Sequence, residues 1–407
     1  MEVDLGSTLG SALLFAGRMD EGWQLLERSI ETARRDQREP EAARAYRMAG
    51  SCASVLVEYE RARTLLDDGV AYAQRVELWN HCHYMSAHRA HVAWATGDWA
   101  LAEREAERVL VDGRGGITTR ITGLHVMGYV ALGRGRWGVA QEALQEALLL
   151  GEEMAELQRI SPAIWGLAEV ALLQGDHGTA VELAERGWRR SKEVDDTAYL
   201  FPFLVTGTRA LIAAGDPLGA RRWVDAVCPD LERRGIPGTL PAVDHARGLV
   251  ALAAGATSAA RTYLEAARAG WWTRSRIWEG TWATVDLARC AARTNRQREA
   301  ADLRAMARST AQSLDAVPIL LAIEALPAAT RRVDRPEPWS PLTEREFQVA
   351  RLVAQGWTNP EIAVELSITT RTAATHVEHI LGRLGATRRA EIGAWVATVP
   401  LGGARPR

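Results

Sequence analysis

The chain of 407 residues is almost devoid of lysine: Lys192 stands alone against 48 arginines. A P-loop needs Gly-Lys-Ser/Thr to cradle phosphates. Lys192 lies in RRSKEV, so no P-loop is present. Any Schiff-base or kinase-type lysine would have to be Lys192, whose context reads as a solvated helix end. Cysteine is scarce too. Cys52, Cys82, Cys228 and Cys290 are far apart and form no CxxC, which argues against a zinc ribbon or a disulfide framework and for reduced thiols in a cytoplasmic protein. No stretch reaches 18 apolar residues, and MEVDLGSTLGSALLFAGRMDEG lacks a basic n-region. Neither membrane spanning nor secretion is expected. GxSxG, HExxH and a GxGxxG after a strand are all missing, so neither an enzyme nor a cofactor is expected. The net charge of −2 excludes a chain that is basic throughout, but leaves room for a small nucleic-acid-binding module. The length suggests two or three domains of about 150 residues each.

What is present is a repeat. FAGRMD, ATGDWA, GRGRWG, LQGDHG, AAGDPL and AAGATS place Gly17, Gly97, Gly135, Gly175, Gly215 and Gly255 at gaps of 80, 38, 40, 40 and 40. The gap of 80 holds a skipped member near Val57, and Asn295 in ARTNRQREAADL extends the series. About eight units result, ending near residue 315. Each reads as two helices. Ile121, Leu124, Gly128, Ala131 and Leu132 follow helical spacing before a turn, and Trp137, Ala140, Leu144, Ala147 and Leu148 follow it after. Glycine at the turn tolerates φ > 0. Pro162, Pro202 and Pro241, 40 and 39 residues apart, mark helix starts.

The glycine turn followed by an acidic or aromatic residue and AxxxLxxAL resembles a tetratricopeptide repeat, whose usual period is about 34. The 40-residue version is similar to the helical array of MalT-like regulators and covers about three quarters of the chain. An α-solenoid is implied for residues 1–326, with a peptide, protein or small molecule as its partner. The first unit has no polar cap before Leu5, so it is expected to be frayed or covered by a partner.

Residues 327–341, PAATRRVDRPEPWSP, have linker composition. After them, residues 342–400 carry helix signals in order. Thr343 with Glu346 and Thr358 with Glu361 are capping boxes. Gly356 and Gly385 end helices, and Thr369 and Thr387 are placed to cap a third and a fourth. The apolar residues Leu342, Phe347, Ala350, Val353, Ile362, Ala363, Leu366, Ile368, Ala373, Val377, Ile380 and Leu384 form one small core. This stretch resembles the LuxR-type helix-turn-helix module of bacterial transcriptional regulators over its full length.

The resemblance implies a recognition helix beginning TTRTAATHVEH, whose N-terminal residues face base edges in the major groove of double-stranded DNA. With Ala373 and Val377 inward, Thr370, Arg371, Ala374, Thr375, Glu378 and His379 face outward. Arg371 is placed to read guanine or bind phosphate, and Thr375 to meet a thymine methyl. Asn359, Thr369, Thr372, His376, Arg383, Arg388 and Arg389 are placed toward phosphates. Family members often carry lysine where this chain has Ala374 and Glu378. Residues 340–407 hold eight basic and six acidic side chains, so weak monomer binding and a homodimer on a two-fold site are expected. Glu378 could accept from cytosine N4, or mark decayed affinity for DNA.

Two other groups stand out. His81, His83, His88 and His91 lie in NHCHYMSAHRAHVAW, but no carboxylate or second cysteine lies nearby in sequence, so ordinary surface and core histidines, and no metal, are expected. Trp271, Trp272, Trp278 and Trp282 cluster between the seventh and eighth units. They are candidates to face a flat or apolar ligand, although core packing at repeat joints is the commoner role. The composite expectation is an all-α transcriptional regulator whose array receives a ligand or protein signal. The alternative is a protein–protein scaffold whose C-terminal module serves docking or dimerisation. MalT-like regulators also hold an N-terminal P-loop ATPase; without one in these residues, control by ATP within the polypeptide is not expected.

Overall fold

The structure, a computed structural model, describes residues 2–326 and 339–399. Most of the linker composition, residues 327–338, lies outside the described residues. The chain divides into two compact units, Met1–Ala329 and Thr330–Arg407. Among the described residues no helix is long and apolar enough to cross a membrane.

The first unit is a run of helices: α1 Glu2–Phe15, α2 Met19–Arg35, α3 Glu39–Val55, α4 Tyr59–Arg75, α5 Trp79–Ala95, α6 Trp99–Asp112, α7 Gly116–Gly133, α8 Trp137–Met154, α9 Leu157–Gln174, α10 His177–Glu193, α11 Phe201–Ala213, α12 Pro217–Arg234, α13 Pro241–Ala253, α14 Thr257–Thr273, α15 Ile277–Arg293, α16 Gln297–Leu314 and α17 Val317–Glu324. Eight antiparallel pairs and a closing helix make the tetratricopeptide-like solenoid. The α1 helix is formed rather than frayed, with Arg44 donating to the Asp4 carbonyl at 3.1 Å and the Thr8 hydroxyl at 3.0 Å.

The turn chemistry explains the repeat. Gly97, Gly175 and Gly215 adopt φ of 95°, 87° and 81°, a left-handed conformation that glycine enters without steric cost. The aspartate that follows each caps the next helix. Asp98, Asp176 and Asp216 accept from the backbone N–H of Leu101, Thr179 and Gly219 at 3.0, 3.1 and 2.7 Å. The same left-handed turn also joins one pair to the next, where Gln37, Glu77, Ala155, Asp195, Ser275 and Asp315 occupy it. The backbone period is therefore about 20 residues, half the period that the glycines mark. Pro202 and Pro241 sit in first turns, but Pro162 lies more than a turn inside α9.

Packing follows a register of its own. Gly50, Gly69, Gly128, Gly187, Gly207 and Gly248 lie against the side chains of Leu66, Met85, Leu144, Phe203, Trp223 and Leu264, each 16 residues further on. A missing side chain on one helix admits a large one from the next. The solenoid also winds back on itself. Arg234 donates to the Phe15 carbonyl at 3.2 Å, Phe15 stacks on Tyr199 with ring centroids 6.3 Å apart, and Trp99 meets Trp278 at 6.1 Å. Residues some 200 apart in sequence thus touch across successive superhelical turns.

The second unit holds α18 Glu344–Ala354, α19 Asn359–Glu365, α20 Thr370–Leu384 and α21 Arg389–Thr398. Its core contains most of the expected apolar set, joined by Val349, Ile392 and Val399; Leu366, Ile368 and Leu384 are only partly buried and pack against it, as do Trp339, Trp357 and Trp395.

Candidate functional site

The second unit builds an exposed helix from its caps inward. Glu346 accepts from the Thr343 backbone N–H at 2.8 Å, and Thr343 accepts from the Glu346 N–H at 3.3 Å. Burial opposes the charged form of Glu346, but the Thr343 hydrogen bonds and the Arg383 guanidinium outweigh it and hold the carboxyl below its usual range. Glu361 accepts from the Thr358 N–H at 2.6 Å and the Thr358 hydroxyl at 2.7 Å. Thr369 caps α20 by accepting from the Thr372 N–H at 3.1 Å, and the two hydroxyls lie 2.8 Å apart. The fourth cap differs from expectation. Helix α21 starts one residue later, Arg388 takes the cap position, and Glu391 reaches back to accept from the Thr387 N–H at 2.8 Å.

Ala373, Val377 and Ile380 turn α20 into the core. That leaves Thr370, Arg371, Thr375, Glu378 and His379 exposed, with Ala374 partly so. The Thr375 hydroxyl donates back to the Arg371 carbonyl at 3.1 Å, which leaves its methyl as the outward group. Thr369 and Thr372, besides their cap bonds, are exposed, and His376 is half-buried.

The basic residues divide in a way the sequence did not reveal. Arg371 and Arg388 are exposed, and no side-chain hydrogen bond or ion pair holds either among the described residues. Arg389 instead donates to Asn359 Oδ1 at 2.8 Å and to the Trp357 carbonyl at 2.7 Å, tying α21 to the start of α19. Arg383 pairs with buried Glu346 at 3.1 Å and donates to the Pro341 carbonyl at 3.4 Å. Asn359, Arg383 and Arg389 thus hold the fold together, and among the described residues only Arg371 and Arg388 of the four arginines find no side-chain partner.

The tryptophan group of the first unit is largely packed into the core. Trp271 is 0% exposed and packs on Phe201, with ring centroids 5.8 Å apart. Trp278 and Trp282 are 4% and 8% exposed, meet edge to face at 5.9 Å, and border only a void of about 20 Å³. Trp272 is half-buried and donates to Thr284 at 3.5 Å. Large indoles sit here because this is a joint between repeats. The histidines behave differently again. His88 and His91 share the Ser54 hydroxyl at 3.3 and 2.8 Å. Among the described residues, no group of three or more His, Cys, Asp or Glu side chains gathers as a metal site.

Comparison with known proteins adds three findings. Residues 340–396 match the family described as GerE, bacterial regulatory proteins of the LuxR family. HTH-type transcriptional regulator MalT of Serratia proteamaculans is 42% identical over 52 residues, and MalT of Yersinia pestis matches to the same degree. The match takes in 13% of this chain and only 6% of each relative. Among solved structures, a Rap protein complexed with competence and sporulation factor shares the fold, with a TM-score of 0.53 and 10% identity over 88% of this chain and 98% of that one. A LuxR-family helix-turn-helix implies DNA binding in transcriptional regulation. Residues 340–396 form a LuxR-type helix-turn-helix module, preceded in the chain by a tetratricopeptide-like helical array.

Proposed function

We propose that this protein is a transcriptional regulator whose array receives a signal and whose α20 reads DNA in the major groove. The carrying observation is the outward face of α20, where Arg371 and Thr375 stand exposed beside a cap whose polar groups are satisfied. In this reading Arg371 reads guanine and the Thr375 methyl meets thymine, while Thr370, Ala374, Glu378 and His379 complete the base-facing surface. Arg388, His376 and the caps Thr369 and Thr372 lie toward phosphates. Arg383, Arg389 and Asn359 act chiefly by fixing the helices that carry these groups. With two uncommitted arginines on this surface, one module has little electrostatic affinity. Two copies on half-sites about one helical turn apart, roughly 34 Å, would supply the rest. The signal changes how the modules pair.

Fluorescence anisotropy of the full chain on its own upstream DNA, at several salt concentrations, tests this. A sequence preference lost in Arg371→Ala/Thr375→Ala supports it. Binding without preference, unchanged by that double variant, would overturn it and favour a scaffold whose C-terminal module docks or dimerises.

A further inference from the structure

The inner side of the first unit encloses a cavity of about 240 Å³. The first helices of successive pairs line it: α1, α3, α5, α7, α9 and α11 all contribute, Tyr59 at the start of α4 borders it, and Arg276 closes it from the neighbouring superhelical turn. Its lining has a distinct chemistry. Three arginines, Arg47, Arg159 and Arg276, and three histidines, His88, His91 and His125, face it, and no aspartate or glutamate does among the described residues. Aromatic and apolar groups make up much of the rest, with Phe15, Tyr84, Tyr129, Trp165 and Phe201 prominent.

The positive charges are unequally compensated. Arg276 holds Glu279 through two hydrogen bonds of 2.7 and 2.8 Å, so its charge is matched from behind. Arg159 reaches Glu156 only at 3.4 Å and spends its other nitrogens on Tyr84 and Thr122. Arg47 has no acidic partner at all among the described residues. Its guanidinium lies over the Tyr84 ring, 4.7 Å from the centroid. Burial lowers its pKa, the neighbouring Tyr84 raises it, and the charges of Arg44 and Arg159 lower it further.

Buried polar atoms are also left over. His88 Nε2, His125 Nε2 and the Ser161 hydroxyl line the cavity without a hydrogen-bond partner, on residues 6%, 5% and 0% exposed. A buried polar atom left unpaired costs about 1–3 kcal/mol, so folded proteins rarely leave three around one space unless something else fills it. An unanswered arginine, spare ring nitrogens and aromatic walls together specify an occupant with an anionic end and a flat or aliphatic body.

Resting on the reading of the array as the signal-receiving part, we infer that this cavity binds a small organic carboxylate, with its anion on Arg47 and Arg159 and its apolar body against Tyr129, Trp165 and Phe201. The spare nitrogens of His88 and His125 and the Ser161 hydroxyl hydrogen-bond its polar atoms. The small volume suits a metabolite rather than a chain segment.

The test uses the full-length protein without DNA. Phenylacetate, indole-3-acetate and octanoate are each compared with the corresponding uncharged amide by titration calorimetry and thermal shift. At least one carboxylate is expected to bind tenfold or more tightly than its amide, since a charge-assisted bond to a partly buried arginine discriminates by about that factor. Arg47→Gln removes a side chain with no ion-pair partner, so the fold should persist while the preference disappears, and Arg47→Lys should restore part of it. The inference is overturned if no carboxylate binds above its amide, or if Arg47→Gln keeps the full preference. Failure here leaves DNA binding by α20 standing. Conversely, Arg371→Ala leaves carboxylate affinity unchanged even where it abolishes recognition of DNA.

Discussion

Arg276 donates a 2.7 Å hydrogen bond to the hydroxyl of Tyr59, 217 residues earlier in the chain, and so clamps one turn of the superhelix to the next. The same guanidinium is fully enclosed, paired with buried Glu279 and stacked over Trp94 at 4.7 Å. Removing one member of a buried pair strands the other charge, which typically costs about 3–5 kcal/mol. Arg276→Met is therefore expected to lower unfolding stability by that amount in urea titrations of the full protein. Tyr59→Phe removes a single hydrogen bond and should cost roughly 1–2 kcal/mol. Equal effects of the two variants would contradict this hierarchy.

Close approach between turns can be probed where there is no side chain. A Cβ on Gly238 would overlap the Leu56 carbonyl oxygen, and backbone cannot move aside cheaply. Gly238→Ala should destabilise by about 1–3 kcal/mol through overpacking. At Gly138, near the start of α8, an added Cβ would meet nothing within 4 Å. Gly138→Ala should stabilise by roughly 0.5 kcal/mol through lower chain entropy and better helix propensity. Thermal melts of both variants decide the matter, and a neutral Gly238→Ala would mean the turns are not packed as described.

Acid should loosen the array through its buried histidines. Burial, followed by the charge of Arg276, lowers His91 to about 3. Burial and then Arg159 bring His125 to about 3, and His88 is lowered in the same direction. The folded pKa lies below the unfolded value of about 6.5, so as pH falls through 6.5 the unfolded chain takes up protons that the folded one refuses. Stability is then lost between about pH 6.5 and 3, by roughly 2 kcal/mol each for His91 and His125 at pH 5. Glu169 and Asp196, pushed up by burial, act in the opposite sense. His125→Asn isolates one histidine's share: its stability should fall less steeply than that of the parent between pH 7 and 5. Identical slopes would remove the argument.

These residues show why some of the molecule was legible in sequence and some was not. A glycine–aspartate pair announces a left-handed turn and a cap at once, so Gly97–Asp98, Gly175–Asp176 and Gly215–Asp216 located the hairpins. Gln37, Glu77 and Ser275 make the same turn without glycine, because tertiary packing over-determines a conformation they do not prefer, and the 20-residue period stayed hidden. The C-terminal helices were readable because short-range capping boxes define them. Which arginines remain available was not, since Arg389 meets Asn359 and Trp357 some 30 residues away. The cavity was least accessible of all. Its groups come from six repeats and from the far side of a superhelical turn, and no local spacing encodes that curvature. The tryptophan cluster was ambiguous in sequence because a large aromatic fills a joint as readily as it lines a pocket, and core packing at joints was the commoner expectation.

Glu378 lies exposed on the outward face of α20, where its negative charge opposes phosphate. Glu378→Lys changes the local charge by two and touches no core residue. Binding to DNA of any sequence should strengthen, and the slope of log affinity against log salt should steepen by about one if the new ammonium meets a phosphate. Anisotropy at four or more salt concentrations reads this directly. Weaker binding to the preferred site alone would instead assign Glu378 to a cytosine N4 contact.

Arg371 and Arg389 separate recognition from support on one small module. Arg371 is exposed and its guanidinium makes no hydrogen bond or ion pair among the described residues, so Arg371→Ala should leave the melting temperature unchanged. Loss of a guanine contact would cost about 1–3 kcal/mol on the preferred site and relax specificity there. Arg389→Ala instead frees the Trp357 carbonyl and Asn359 Oδ1, two acceptors that join α21 to α19. A net hydrogen bond is worth roughly 1 kcal/mol, and a module of this size has little stability to spare. Arg389→Ala should therefore unfold the second unit at lower temperature and weaken binding to all sequences alike. Arg389→Lys recovers charge but not the two-pronged geometry, so it should rescue little of that stability. Full rescue by lysine would reassign Arg389 from the clamp to the phosphate contact.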